Sequence, residues 1–283
     1  MDKVLLILMS VSIGFTILLI QYYIQTNGFK NPISILSSST STKSSKNLNK
    51  PTFLICGITN SGKTSLYYKL LTGDFKTTVS SIQPNIDMIN LPISKPTIGK
   101  KFQIVDYPGH LKYWNLFKNL ILNDIKLNNI KGIIVVLDSS SKKWLNNQEL
   151  EKITKFLYNL ISITERKQNG IDYLFAINKL DLFDSLPTPK IKTILELEIN
   201  KLIKNEINNV NKTSGIDNNT IEEDEFDDSN KENLREFWLS IIGNSQVFTF
   251  DKLEGNMDFL GGSILKGNID KWEDWLDEKV MNP

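Results

Sequence analysis

A glycine-rich segment near residue 60 carries a lysine followed by two hydroxyl side chains. The segment, GITNSGKTS (57–65), follows the apolar run TFLIC and matches the pattern G-x4-G-K-S/T. Glycines in this pattern let the chain wrap a phosphate group, so that backbone N–H groups point at its oxygens. Lys63 would reach the β- and γ-phosphates, and Thr64 would ligate Mg²⁺. The predicted phosphate-binding residues are Gly57, Asn60, Ser61, Gly62, Lys63, Thr64 and Ser65.

The tetrapeptide NKLD closes another apolar run, DYLFAIN, and comprises Asn178, Lys179, Leu180 and Asp181. A carboxylate at Asp181 would accept hydrogen bonds from two guanine N–H groups, whereas adenine presents a different donor pattern. Asn and Asp are also common turn residues, so NKLD alone could be a polar strand end. The phosphate loop 115 residues upstream favours guanine recognition. We also expect the backbone around Ser263, in FLGGSILKG, to support the base.

The segment DYPGH (106–110) fits the place where small GTPases sense the γ-phosphate. Asp106 would hold Mg²⁺ through water, and the Gly109 amide would bond to a phosphate oxygen. Upstream, TTVSSIQPN (77–85) should supply a further hydroxyl to the metal. We choose Ser81 for that role, with Ser80 or Thr78 as alternatives.

His110 is the only histidine of the chain and stands where many small GTPases have the glutamine that orients the attacking water. An imidazole could position water, but efficient hydrolysis usually also needs a positive group on the developing γ-phosphate charge. Neither arginine of the chain, Arg166 or Arg235, lies in a nucleotide motif. We therefore predict slow hydrolysis by the isolated chain, with His110 as a catalytic residue only when a partner completes the site.

Residues 51–283 alternate short apolar runs with helix-like stretches. Several runs are apolar on both faces, as in a parallel sheet that helices cover on both sides. This alternation predicts a three-layer α/β fold around a mostly parallel six-stranded sheet, and the phosphate loop and the likeness of DYPGH to small GTPases indicate a P-loop small-GTPase fold. The predicted strands are 52–57, 86–91, 101–106, 132–138, 172–178 and 258–263, and the predicted helices are 63–72, 145–165, 188–209 and 268–280.

Residues 205–233 interrupt this pattern because they are crowded with asparagine and contain the acidic run EEDEFDD. Such a segment cannot bury enough apolar surface to fold independently, so we predict a disordered insertion. A docking site for a basic partner is the alternative. The formal net charge of the chain, +1, gives no argument for a nucleic acid as partner, and the single cysteine, Cys56, fits a reducing compartment.

The amino terminus reads as a membrane anchor. Residues 4–24 are uncharged and, at about 1.5 Å a residue, would form a helix of roughly 31 Å, close to the hydrocarbon thickness of a bilayer. A cleaved secretory signal is the alternative, but the run ends in bulky QYYIQ without a small-x-small cleavage site. The four lysines and no acid in residues 30–50 place the following chain in the cytosol. We predict a transmembrane helix (1–25), a flexible linker (26–50) and a GTPase domain (51–283).

GITNSGKTS, SSIQPN, DYPGH and NKLD, in that order behind one membrane span, resemble the β-subunits of signal recognition particle receptors. The resemblance covers the span and nearly all of residues 51–283 except the acidic insertion. It implies a Ras/Arf-like protein of the endoplasmic reticulum membrane that binds GTP with Mg²⁺ and serves co-translational protein targeting. It also implies that the GTP-bound form binds the receptor's α-subunit, with the ribosome or the translocon as further candidate partners. Tyr107, Tyr113 and Trp114 would either belong to that docking face or pack beneath it.

An Arf- or Sar-like trafficking GTPase is the alternative reading of the same nucleotide motifs. Such proteins leave the membrane by releasing an amphipathic helix or a lipid, which a long uncharged span would make very difficult. A phosphate-loop kinase or ATPase is a third hypothesis, and it predicts ATP preference and an arginine-rich lid. NKLD and the presence of only two arginines argue against both features.

Overall fold

The structure is a computed structural model that describes residues 50–95, 97, 99–210, 228–243 and 247–281, without the side chains of 206–210 and 228–233. By its contacts the chain divides into two compact units, Met1–Leu48 and Asn49–Pro283, and the described residues belong to the second. The predicted span 4–24 and the predicted linker up to residue 49 lie outside the described residues. No helix within the described ranges combines the length and the apolar character needed to cross a bilayer.

Six strands form one sheet in the order β2-β3-β1-β4-β5-β6. Every neighbouring pair is parallel except β2 and β3, which are antiparallel. This arrangement confirms the predicted α/β fold with a mostly parallel six-stranded sheet. The strands are β1 (Thr52–Cys56), β2 (Asn85–Leu91), β3 (Lys100–Asp106), β4 (Ile130–Asp138), β5 (Tyr173–Asn178) and β6 (Met257–Gly261).

Seven α-helices lie in the described ranges, and two short helical segments adjoin them. The helices are α1 (Lys63–Thr72), α2 (Trp114–Asn119), α3 (Ser141–Leu145), α4 (Asn147–Thr164), α5 (Thr188–Val210), α6 (Asp228–Ile242) and α7 (Asp270–Met281). A 3-10 turn, Leu111–Tyr113, precedes α2, and a π-helical segment, Leu120–Ile125, continues it. The sequence patterns predicted α1, α4, α5 and α7 but missed the helical stretch from Leu111 to Ile125, the short α3 and α6.

Helices cover both faces of the sheet because its central strands are apolar on both sides. All residues of β1 and β5 are buried. On one face, α1 and α7 pack over alternate strand residues, with Trp272 and Trp275 in the same core cluster as Phe53. On the other face, α4, α5 and α6 pack together, and Trp238 of α6 stacks on Tyr158 of α4 with ring centroids 4.6 Å apart. The tryptophans of α7 are therefore core residues.

The predicted insertion, 205–233, is helical at both of its ends. α5 continues to Val210 and α6 begins at Asp228. The intervening residues 211–227 lie outside the described residues. The second end of the predicted insertion is helical because Trp238 packs α6 into the core, although the first turn of α6 is polar.

The parallel strands place their carboxyl ends along one margin of the sheet. β1 leads there into the glycine-rich segment, and the strands β3, β4 and β5 end at Asp106, Asp138 and Asn178. In open parallel sheets, ligands bind outside the carboxyl ends of the strands. The predicted site residues, which are far apart in sequence, therefore meet at this margin.

Candidate nucleotide-binding site

The segment between β1 and α1 folds as a tight loop against the sheet. Gly57 has φ 128°, and a Cβ there would lie 2.5 Å from the Val136 carbonyl oxygen of β4, so this position requires glycine. Asn60 adopts a left-handed φ of 62°. α1 then begins at Lys63 after Gly62, with no side chain capping its first N–H groups. The uncapped N–H groups of a helix start are suited to bind phosphate oxygens.

Lys63 is buried inside this loop. Its Nζ donates a hydrogen bond to the Ile58 carbonyl oxygen at 2.7 Å. Burial lowers the pKa of the Lys63 amine to about 8, although the nearby carboxylate of Asp106 and the thiol of Cys56 oppose this shift. A partly desolvated ammonium group with few partners is well placed to bind a phosphate.

Three polar side chains meet Asp106 at the start of α1. Thr64 Oγ1 donates to Asp106 Oδ2 at 2.9 Å and lies 2.9 Å from Ser81 Oγ. Asn85 Nδ2 also donates to Asp106 Oδ2, at 2.9 Å. Of the three hydroxyl residues considered for the metal, Ser81 is the one in contact with both Thr64 and Asp106, whereas Thr78 bonds to Ser65.

The second carboxylate oxygen of Asp106, Oδ1, is buried and has no hydrogen-bond partner. Burial raises the pKa of this carboxyl, and hydrogen bonds from Asn85 and Thr64 oppose the shift. An unpartnered buried carboxylate oxygen beside two hydroxyls is a donor set that fits Mg²⁺, which prefers oxygen ligands and keeps several of its waters. The chemistry of this cluster therefore fits the predicted metal site at Thr64, Ser81 and Asp106.

Lys63, Thr64 and Ser81 line one cleft of about 450 Å³. Gly109 closes it from the β3 side and lies against Lys63 and the Gly57 carbonyl. The remaining walls come from the loop, the segment before β2 and Lys179. The lining residues are Thr59, Asn60, Gly62, Lys63, Thr64, Ser65, Thr78, Val79, Ser80, Ser81, Pro108, Gly109 and Lys179.

A neighbouring cavity of about 210 Å³ contains Asp181 and Ser263 and shares Gly62, Ser65 and Lys179 with the cleft. Ser263 Oγ donates to Asp181 Oδ1 at 2.6 Å, which leaves Oδ2 of that carboxylate available. The structure thus brings the predicted phosphate, metal and base residues to one continuous region.

Asn178 and Lys179 connect this cavity to the phosphate loop. Asn178 Nδ2 donates to the Ser61 carbonyl oxygen at 2.8 Å, and its Oδ1 accepts from the Ile264 N–H at 3.1 Å. Lys179 Nζ donates to the Asn60 carbonyl oxygen at 2.9 Å and forms a 2.7 Å ion pair with Asp138. The two side chains therefore hold the loop and the base cavity together.

His110 lies at the surface and is absent from the lining of the cleft. Its Nδ1 accepts a hydrogen bond from the Lys112 N–H at 3.2 Å, and its ring lies edge-on to Tyr113. In this conformation the imidazole caps the turn that precedes α2. A position next to a reacting water would require the segment after Gly109 to move.

The aromatic residues near His110 have packing roles in this structure. Tyr107 is buried with its ring centroid 4.5 Å from that of Phe117, and burial raises the pKa of Tyr107 to about 12. Trp114 packs against Phe117 and Phe156. Tyr113 is half-buried and faces His110. Of the two roles considered for these aromatic residues, packing beneath the surface describes Tyr107 and Trp114.

Sequence reasoning missed two polar residues at this margin. Asn85 closes the quoted segment TTVSSIQPN, but an asparagine at the start of a strand looks like a turn residue. Asp138 ends β4 and pairs with Lys179. Its position at the carboxyl end of a buried parallel strand was the available signal.

The sequence and the fold both match a known family. The family model for the signal recognition particle receptor beta subunit matches residues 48–257. The chain is 32% identical over 250 residues to the signal recognition particle receptor subunit beta of Saccharomyces cerevisiae, covering 88% of this chain and 92% of that protein. The human protein of the same name is 28% identical over 153 residues, which are 53% of this chain and 51% of that protein.

Among solved structures, the mammalian SRP receptor aligns with a TM-score of 0.58 at 22% identity, covering 81% of this chain and 99% of that one. The SRb-GTP/SRX complex from Chaetomium thermophilum aligns with a TM-score of 0.57 at 21% identity, covering 81% of this chain and 98% of that one. At such identities these alignments support the small-GTPase fold alone. The family match and the yeast relative carry the assignment: the chain belongs to the family of signal recognition particle receptor beta subunits.

Proposed function

We propose that this chain is a GTP-gated receptor subunit, which binds GTP with Mg²⁺ and in that form binds the α-subunit of the signal recognition particle receptor. It would be anchored in the endoplasmic reticulum membrane by residues 4–24, with residues 51–283 in the cytosol. Its role would be co-translational protein targeting.

Within this proposal each group at the sheet margin has one task. The loop N–H groups and Lys63 would bind the β- and γ-phosphates, and Gly109 would sense the γ-phosphate through its amide. Thr64 and Ser81 would ligate Mg²⁺ directly and Asp106 through water, so that the metal neutralises phosphate charge. Asp181, held by Ser263, would accept from the guanine N–H groups.

One observation carries the proposal. Lys63, Thr64 and Ser81 line one cleft, and the two hydroxyls bond to Asp106 Oδ2, while Oδ1 of the same carboxylate is buried without a partner. A buried carboxylate oxygen without a hydrogen bond is costly unless a ligand satisfies it. A hydrated cation beside Asp106 would compensate the charge of this carboxylate, and a phosphate next to the cation would pair with the Lys63 ammonium.

The solved relatives support the choice of ligand and partner. They include an SRb-GTP/SRX complex and SRb-GDP-Mg, both from Chaetomium thermophilum, with TM-scores of 0.57 and 0.51 to this chain. In the proposed cycle, GTP would order residues 77–85 and the segment after Asp106 into one docking face, and loss of the γ-phosphate would release it. Exposed Val79 and Ile82 lie in the first of these segments.

Nucleotide binding tests this proposal directly. The full-length chain, purified in detergent without nucleotide, is titrated with fluorescent GTP and ATP analogues at fixed Mg²⁺. We expect GTP to bind at least about 100-fold more tightly than ATP, because a carboxylate at Asp181 pairs with guanine alone. Equal affinities would contradict the base assignment. Carbonate extraction of membranes that contain the full chain separately tests the anchor, and the protein should stay in the membrane whichever nucleotide is bound.

A further inference from the structure

Asn85 stands at the centre of the hydroxyl and carboxylate cluster and closes the motif SSIQPN, which by itself gives this asparagine no role. It is the first residue of β2, directly opposite Asp106 in the antiparallel register with β3. The register thus places its side chain beside the carboxylate. At the other end of β2, Asp277 of α7 accepts from the Ile93 and Ser94 N–H groups at 2.5 and 2.9 Å. β2 is therefore fixed to β3 at its start and to α7 just after its end, and this fixes the position of Asn85.

The Asn85 amide donates to two acceptors of the cluster. Nδ2 lies 2.9 Å from Asp106 Oδ2 and 3.3 Å from Ser81 Oγ. Ser81 itself lies in irregular chain before β2, so its contact with Asn85 ties this segment to the sheet. One amide group thus connects the segment before β2 with the carboxylate at the end of β3.

These bonds are distributed unequally over the two carboxylate oxygens. Oδ2 accepts from Thr64 at 2.9 Å and from Ser81 at 3.5 Å in addition to Asn85. Oδ1 accepts none. These donors consequently hold the carboxylate in one orientation, with Oδ2 toward Thr64 and Ser81. Hydrogen bonds that orient a metal-binding group in this way are known to determine metal affinity.

We propose that Asn85 is a positioning residue of the Mg²⁺ site, which holds the Asp106 carboxylate in its orientation toward the hydrated cation and holds Ser81 beside Thr64. This inference rests on the proposed binding of GTP and Mg²⁺. The effect of Asn85 on Mg²⁺ binding would depend on its amide donor and not on the volume of its side chain. An aspartate at the same position would keep the shape but replace the donor with a second carboxylate against Asp106.

The test measures how free Mg²⁺ slows the release of a fluorescent GDP analogue from the full-length chain. In Asn85→Ala, the Mg²⁺ concentration that gives half of the slowing should rise about 10-fold or more, the usual effect of losing a residue that orients a metal ligand. Release in excess EDTA should stay within about twofold of the wild type, because the phosphate loop is intact. Asn85→Asp should lose at least as much Mg²⁺ dependence as the alanine variant. Asn90→Ala, an exposed asparagine of the same strand, should match the wild type.

Each other result overturns the inference. An unchanged Mg²⁺ midpoint in Asn85→Ala would show that Asn85 does not position the site. Faster release to the same extent with Mg²⁺ and with EDTA would show a packing role, as would full Mg²⁺ dependence in Asn85→Asp. Failure of the wild-type chain to bind any guanine nucleotide would instead overturn the proposed function itself.

Discussion

Gly109 lies so close to Lys63 that a Cβ on Gly109 would be 2.5 Å from the Lys63 Nζ atom. The same Cβ would be 2.6 Å from the Gly57 carbonyl oxygen, which is backbone and cannot rotate away. The segment that follows β3 is therefore in direct contact with the phosphate loop. This contact is the physical route by which a γ-phosphate at Lys63 would control the segment after Asp106.

Gly109→Ala should disrupt the contact between the segment after Asp106 and the phosphate loop. We expect the free energy of unfolding to fall by about 1–3 kcal/mol because the new methyl group overpacks the contact. GTP affinity should fall about 10-fold while GDP affinity changes little, since GDP has no γ-phosphate for the Gly109 amide. Denaturant unfolding and nucleotide competition measure the two effects. Gly73→Ala, where a Cβ meets no atom within 4 Å but the φ of 76° strains alanine, controls for lost stability alone and should retain the nucleotide preference.

Asp181→Asn should change the preferred base from guanine to xanthine. The variant presents an amide where guanine needs a carboxylate, so GTP affinity should fall at least about 100-fold and xanthosine triphosphate should bind better than GTP. Competition against a fluorescent nucleotide measures both affinities. Asp184→Asn, three residues away, should behave as wild type, because Asp184 bonds to Ser141 outside the cavity. GTP affinity that survives in Asp181→Asn would remove Asp181 from the site.

Lys63 makes nucleotide affinity depend on pH. Its pKa in the nucleotide-free protein is lowered to about 8, and phosphate charge beside it would raise that pKa in the complex. Below pH 8 the Lys63 amine is protonated with and without nucleotide, and the affinity for GTP is at its maximum. Above pH 8, binding must take up a proton, so GTP affinity should fall by up to about tenfold per pH unit.

Titrations between pH 7 and 9 measure this slope. In Lys63→Arg the guanidinium stays protonated over this pH range. The GTP affinity of the variant should therefore be nearly independent of pH, even if it is weaker than that of the wild type. A wild-type affinity that is constant across this range would show that Lys63 does not contact the phosphates.

His110→Ala should change hydrolysis without changing binding. Since His110 is at the surface and outside the cleft lining, GTP affinity should stay within about threefold of the wild type. Single-turnover hydrolysis in the presence of the α-subunit should slow about 10- to 100-fold, as expected when a group that positions water is lost. Equal rates for the two proteins would identify His110 solely as the cap of the turn before α2.

Three of the motifs, GITNSGKTS, DYPGH and NKLD, were readable from the sequence because each stands at the end of a strongly apolar strand. The run YLFAIN predicts both a buried β5 and the position of NKLD, and TFLIC does the same for the phosphate loop. The α6 helix was missed because its first turn is polar, and it is stabilised by contacts of Trp238 with Tyr158 and Phe248 that no local pattern reveals. Asn85 was missed because its role depends on the β2–β3 register, which sequence alone does not determine.

Binding of the α-subunit tests the central proposal most directly. The full-length chain, loaded with a non-hydrolysable GTP analogue or with GDP, is mixed with the amino-terminal domain of the receptor's α-subunit, and the captured domain is measured. The proposal predicts at least about tenfold tighter capture with the GTP analogue, because only that form orders both segments of the docking face. Equal capture with the two nucleotides would contradict a GTP-gated receptor subunit.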